Sequence, residues 1–198
     1  VRALCDSQCA LLIFDEVISG FRTRYGGVDG IINVEPDITT LGKIIGGGMP
    51  IGALVGKRQF MEQLAPNGPV YQAGTLSGNP VSVAAGLTTL QLLEDPSVYE
   101  QLETLSSYLQ SGLNQIDGVQ VVRAGSLLWP YLGDHDVPRR ADAIEAIHAH
   151  RFGTVHAGLL RSGFYLPPSA YEVLFLSTAH TTDDLDRLID AWSKELVL

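Results

Sequence analysis

"ALLIFDEVISGFR" occupies residues 10–22, and its first half is a continuous apolar run that stops on two acids. A short apolar run bounded by turn signals is the pattern of a strand buried on both faces of a parallel sheet. The strand therefore delivers Asp15 and Glu16 side by side at its carboxyl end. One reading is a solvated strand end. The other is a carboxylate held out to a cationic group in a crevice, because ligands of open α/β sheets bind at the carboxyl ends of the strands.

Working outward, "DITTLGK" (37–43) reads as a second short strand that ends on a lysine. "IIGGGMPIGALVG" (44–56) is a glycine-rich turn leading into a third strand near Ile51–Val55, and "KRQFMEQLA" (57–65) is a short helix. "GNPVSVAAGLTTLQLLED" (78–95) is a longer helix, with Asn79 placed to cap it and Pro80 in its first turn. In "VYEQLETLSSYLQSGLNQI" (98–116), Leu102, Leu105, Leu109, Leu113 and Ile116 form one helical stripe. From Val119 the texture changes to a pair of strands (119–125 and 126–133), helical segments over 140–163, a strand at 173–177 and a closing amphipathic helix over 181–196. The expectation is an α/β layer, residues 1–117, followed by a smaller α+β unit, residues 118–198.

Composition narrows the function. The 198 residues carry a net charge of −9 with 13 scattered Lys and Arg, which argues against nucleic-acid or anionic-membrane binding. No window approaches the apolar length of a membrane span, and no signal peptide is expected. Cys5 and Cys9, four residues apart, read as reduced thiols on one helix face in a cytoplasmic protein. The chain opens without Met on what reads as the end of a helix already under way, so sequence is expected upstream. Two glycine motifs miss their patterns. Gly46, Gly48 and Gly52 are spaced one residue too long for a dinucleotide fingerprint, and "GALVGKR" is one residue short of a phosphate loop. His148, His150 and His156 lack a metal-ligand pattern and read as surface histidines, so no metal is expected.

Asp15 and Lys43 alone are compatible with a structural ion pair. Their surroundings suggest more. Gly46–Gly48 permit close backbone approach, and "QAGTLSGNP" (72–80) sets Gly74, Thr75, Ser77 and Gly78 just before a helix N-terminus, a ready phosphate site. A lysine, a carboxylate and a phosphate cup suit pyridoxal 5'-phosphate, whose protein partners are a lysine and an acid for the ring nitrogen.

"LLIFDEVISGFR" (11–22), "PDITTLGKIIGGGMPIGALVG" (36–56) and "GPVYQAGTLSGNPVSVAAG" (68–86) resemble the class III aminotransferases of fold type I. The resemblance covers essentially the whole chain, but only the C-terminal half of that family. "VYQAGTLSGNP" and "YLPPSAYEVLFLSTAHT" (165–181) are similar to its aminomutase branch. What it implies is part of an aspartate aminotransferase-like large domain plus a C-terminal α+β small domain. It further implies a homodimer with shared active sites, and isomerisation of glutamate-1-semialdehyde to 5-aminolevulinate for tetrapyrrole (porphyrin) synthesis, opened by the pyridoxamine form of the cofactor. Lys43 would hold the cofactor and move protons, Asp15 would bond the ring nitrogen, and Val17 would press on the ring face. Gly74 and Thr75 would reach the phosphate in the neighbouring subunit. Tyr71 and Glu172 would lie in the vicinity, while Glu16, Arg22 and Arg24 stay unassigned. Ser19 stands where that branch usually has Thr. An ω-amino acid aminotransferase with a keto-acid acceptor is one alternative reading, and a truncated, non-catalytic chain is the other.

Overall fold

The computed structural model describes residues 1–196. The chain forms two compact units, Val1–Pro96 and Ser97–Leu198.

The first unit holds a three-stranded sheet of β1 (Ile13–Glu16), β2 (Ile38–Leu41) and β3 (Ala53–Gly56), in that order. β1 and β2 run parallel, with Asp15 opposite Thr40, and β3 is antiparallel to β2. β1 is an edge strand, and Ile13 is 56% exposed. The expectation of a strand buried on both faces therefore does not hold in this unit. Burial depends on what covers the two faces of a sheet, and the face of β1 that carries Ile13 and Asp15 is exposed among the described residues.

Four short pieces frame the sheet: helices α1 (Arg2–Ser7), α2 (Asp29–Ile32) and α3 (Arg58–Met61), and a 3-10 turn over Lys43–Gly46. α1 ends before Cys9, which takes a left-handed φ of 51°, so the two cysteines do not share a helix face. Asp37, buried just ahead of β2, ties the pieces together. Its carboxylate accepts from the Leu12 backbone N–H (2.8 Å), from Arg2 (2.8 Å) and from Lys57 (3.1 Å). Those bonds, the Leu12 N–H first, hold its carboxyl far below the usual carboxylate range.

Helix α4 (Pro80–Leu93) starts as the sequence predicts: Asn79 Oδ1 accepts from the Ser82 N–H at 3.0 Å. α4 lies on the 3-10 turn through small residues. A Cβ on Gly86 would meet the Ile45 carbonyl oxygen closer than the 3.0 Å floor for real contacts, with the carbonyl carbon at 3.3 Å.

In the second unit, helix α5 (Pro96–Leu113) lays Leu102, Leu105, Leu109 and Leu113 into the core. That packing is why the compact unit begins at Ser97, whereas the sequence boundary at 117 follows the change from helix to strand texture. β4 (Gln120–Ala124), β5 (Leu127–Tyr131) and β6 (Leu174–Phe175) form an antiparallel sheet, β6 being shorter than the predicted 173–177. α6 (Ala146–Arg161) and α7 (Thr182–Leu196) complete the core around Leu128, Leu159 and Trp192.

His148 departs from the surface reading: it is fully buried. It shares a helical face with Phe152, Val155 and Leu159. Its Nδ1 accepts from the Leu132 N–H (3.1 Å), which leaves Nε2–H to donate to the Ala170 carbonyl (2.8 Å). Both ring nitrogens are thus satisfied inside the core.

No helix among the described residues is long and apolar enough to cross a membrane.

Candidate active site

The two acids that end β1 separate by strand parity, since successive side chains point to opposite faces. Glu16 is buried at 2% exposure. Its carboxylate accepts from the Ser19 hydroxyl and from the Val28 N–H (2.6 Å), closing the loop that follows the strand. Its carbonyl oxygen also accepts from the Gly20 N–H at 2.9 Å. Glu16, left open by the sequence, thus holds a loop.

Asp15 points the other way and is exposed. Its Oδ1 accepts from the Val17 N–H (3.1 Å) and from the Thr40 hydroxyl (3.2 Å). Among the described residues nothing donates to Oδ2.

Lys43 stands past the carboxyl end of the neighbouring parallel strand. Gly42 is extended, and Lys43 itself takes a left-handed φ of 46° at the head of the 3-10 turn. A non-glycine residue there carries backbone strain of order 1–3 kcal/mol, a cost that clusters at functional positions. The turn is closed by Ile45 N–H to the Gly42 carbonyl (3.2 Å) and Gly47 N–H to the Ile44 carbonyl (3.1 Å). Among the described residues, Asp15 and Lys43 form no ion pair, so the structural-pair reading fails. Both groups remain available to a third party.

Val17 is half-buried beside them. A Cβ on Gly42 would come within 3.2 Å of Val17 Cγ1, so the glycine is what lets the valine sit against the backbone just before the lysine. Gly42 and Thr40 were not singled out from sequence. Thr40 could have been found from strand register, and Gly42 from its place between strand end and lysine.

The segment before α4 supplies an open hollow of about 310 Å³, lined by Gly52, Gly74, Ser77 and Gly78 among others. Gly74 accepts from the Ser77 N–H at 3.0 Å, and Thr75 and Tyr71 are exposed, Tyr71 at 82%. Glu172 belongs to the second unit, exposed on a turn where its N–H donates to the Ser169 carbonyl (3.2 Å). Arg24 donates to the Tyr25 carbonyl at 3.2 Å. No cluster of metal-ligating side chains occurs among the described residues.

A lysine on a strained turn and a carboxylate with one free oxygen thus stand at the carboxyl ends of two parallel neighbours. The profile of the Aminotransferase class-III family matches residues 1–151, and the chain belongs to that family. Among individual relatives it is 48% identical over 201 residues to a glutamate-1-semialdehyde 2,1-aminomutase from Thermomicrobium roseum, covering 99% of this chain and 46% of that protein. A protein of the same name from Desulforudis audaxviator is 46% identical, with 96% of this chain and 45% of the relative covered. Among solved structures, an omega-transaminase from Sphaerobacter thermophilus superposes with a TM-score of 0.88 at 33% identity, over 99% of this chain and 46% of that one. The chain thus spans about half the length of the curated relatives it matches.

Proposed function

We propose that this chain forms the lysine-bearing half of a pyridoxal phosphate-dependent aminomutase that converts glutamate-1-semialdehyde to 5-aminolevulinate. The carrying observation is the pair of unshared groups, Lys43 amine and Asp15 Oδ2, at adjacent parallel strand ends. The names of the relatives at 46–48% identity support the choice of reaction.

The residues present fit the cofactor. When bound, it supplies a protonated ring that withdraws electrons from the substrate carbon. Lys43 holds the group in place and moves a proton to and from that carbon. Asp15 Oδ2 accepts from the ring N–H, a charge-assisted bond worth roughly 1.5–3 kcal/mol. Val17 backs the ring face. Gly74 and Thr75 offer backbone N–H groups and a hydroxyl to the phosphate of the neighbouring subunit's site, which makes the enzyme a homodimer. Tyr71 contacts substrate or cofactor more peripherally. The cytoplasm is the compartment that fits two free thiols.

A second reading, an ω-amino acid aminotransferase, is favoured by the fold match to the Sphaerobacter omega-transaminase. The 198-residue chain alone is expected to turn over little or nothing, since it spans 46% of its relatives' length.

The test has two parts. Borohydride reduction after incubation with pyridoxal phosphate, read by peptide mass, should label Lys43 and spare Lys57 and Lys194. The complete gene product should then form 5-aminolevulinate with no keto-acid acceptor. Dependence on 2-oxoglutarate would establish the aminotransferase instead; scattered labelling of this chain alone would mean that it does not assemble the site unaided, and scattered labelling of the complete gene product would remove Lys43 from its role.

A further inference from the structure

The strand register brings a hydroxyl to the acid that the cofactor would need. Asp15 and Thr40 are register partners on β1 and β2, so their side chains leave the same face of the sheet. The Thr40 hydroxyl donates to Asp15 Oδ1 at 3.2 Å, and the Val17 N–H donates to the same oxygen at 3.1 Å.

The two donors differ in what they fix. Val17 is two residues on, so its bond is a local turn that leaves the carboxylate able to pivot about the donor. Thr40 comes from the neighbouring strand, and its β-branched side chain is stiff at χ1. Two donors from two elements set the plane of the carboxylate. Both fall on Oδ1, leaving Oδ2 the one oxygen with no donor among the described residues.

We infer that Thr40 is a positioning residue: by occupying Oδ1 it aims Asp15 Oδ2 at the ring nitrogen of the bound cofactor. The inference rests on the pyridoxal phosphate reading above. It assigns Thr40 no contact with the cofactor or substrate. Thr39, one residue earlier, points to the opposite face and carries no such role.

The experiment uses the complete gene product and pyridoxal phosphate labelled with ¹⁵N in the ring. Wild type, Thr40→Val, Thr40→Ser and Asp15→Asn are compared by cofactor dissociation constant and by the ¹⁵N shift of the bound ring nitrogen, which reports its hydrogen bond and protonation. Valine keeps the shape and removes the hydroxyl, while serine keeps the hydroxyl. Circular dichroism checks that each variant is folded.

Thr40→Val is expected to weaken cofactor binding about five- to ten-fold, the loss of one hydrogen bond's worth of orientation, and to move the ring ¹⁵N signal toward the Asp15→Asn value. Thr40→Ser should recover most of both. A Thr40→Val protein with the wild-type shift and a dissociation constant within two-fold of wild type, beside an altered Asp15→Asn, overturns the positioning role. So does a Thr40→Ser variant as impaired as Thr40→Val. If wild type takes up no cofactor, the reading beneath the inference has failed and the inference falls with it; that control separates the two failures.

Discussion

Replacing Gly86 by alanine isolates the contact that seats α4 on the lysine turn. Propensity alone favours the change: alanine in a helix interior is better than glycine by about 1 kcal/mol. The structure opposes it. The new Cβ would press on the Ile45 carbonyl oxygen, inside the 3.0 Å floor, with the carbonyl carbon at 3.3 Å and Gly46 Cα at 3.8 Å. These are backbone atoms of the 3-10 turn, which cannot swing aside as a side-chain tip can. Overpacking of this type costs about 1–3 kcal/mol. The net expectation is destabilisation by about 1 kcal/mol, close to a five-fold rise in the local opening constant. Gly153, inside α6, is the control, because a Cβ there meets nothing within 4 Å. Gly153→Ala should gain close to 1 kcal/mol from propensity with no opposing term. Hydrogen exchange read by mass spectrometry on peptides covering 80–93 and 146–161 resolves the helices separately. Exchange should quicken in α4 of Gly86→Ala and slow in α6 of Gly153→Ala. Slower exchange in α4 of Gly86→Ala would refute the close-approach argument.

Three further outcomes are expected in the second unit. Leu109→Ala, at a fully buried position of the α5 stripe, should cost about 2–5 kcal/mol, measured by urea unfolding followed through tryptophan fluorescence, to which Trp129 and Trp192 both contribute. His148→Phe should orphan the buried Leu132 N–H, while the Ala170 carbonyl keeps its bond from Trp129 Nε1 (2.8 Å); the loss should be about 1–3 kcal/mol in the same assay. The Glu145 carboxyl is depressed to about 2, first by its hydrogen bond from His135 and then by that from Tyr131. Its folded value lies below its unfolded one, so its stabilisation is complete above the ordinary value near 4.5 and lost as pH falls toward 2. The partner His135 is shifted upward, so its share is complete below its unfolded value and fades as pH rises through the folded one. Thermal melts against pH should show a flatter acid limb in Glu145→Gln and a flatter alkaline limb in His135→Asn.

What the sequence disclosed was local. The α5 stripe from Leu102 to Leu113, the Asn79 cap and the closing helix each rest on spacing within one segment, and the structure bears them out, while Ile116, the last residue of the predicted stripe, falls beyond the helix end. That Asp15 lies at the carboxyl end of one short strand and Lys43 just past the end of another was legible from the apolar runs before them. What stayed hidden depends on partners far along the chain. His148 looked like surface because the groups that satisfy it lie 16 residues back, at Leu132, and 22 ahead, at Ala170. The exposure of Ile13 follows from its sheet face being left open, and what covers a face is nothing that local periodicity reports. Glu16 could not be assigned until Val28, 12 residues on, came into reach. Thr40 required the register of two strands.

Asp15 and Glu16 carry the same charge and differ by one methylene, and the fold uses that difference. The longer arm spans back to the Val28 amide and the Ser19 hydroxyl, while the shorter one stops at the strand tip beside Thr40. Composition and net charge would survive an exchange of the two, Asp15→Glu with Glu16→Asp. Yet the loop would lose its tether for want of reach, and the crevice would receive an acid that overshoots its support. At this strand end side-chain length is itself part of what the chain specifies, so the order of two neighbouring letters matters as much as their identity.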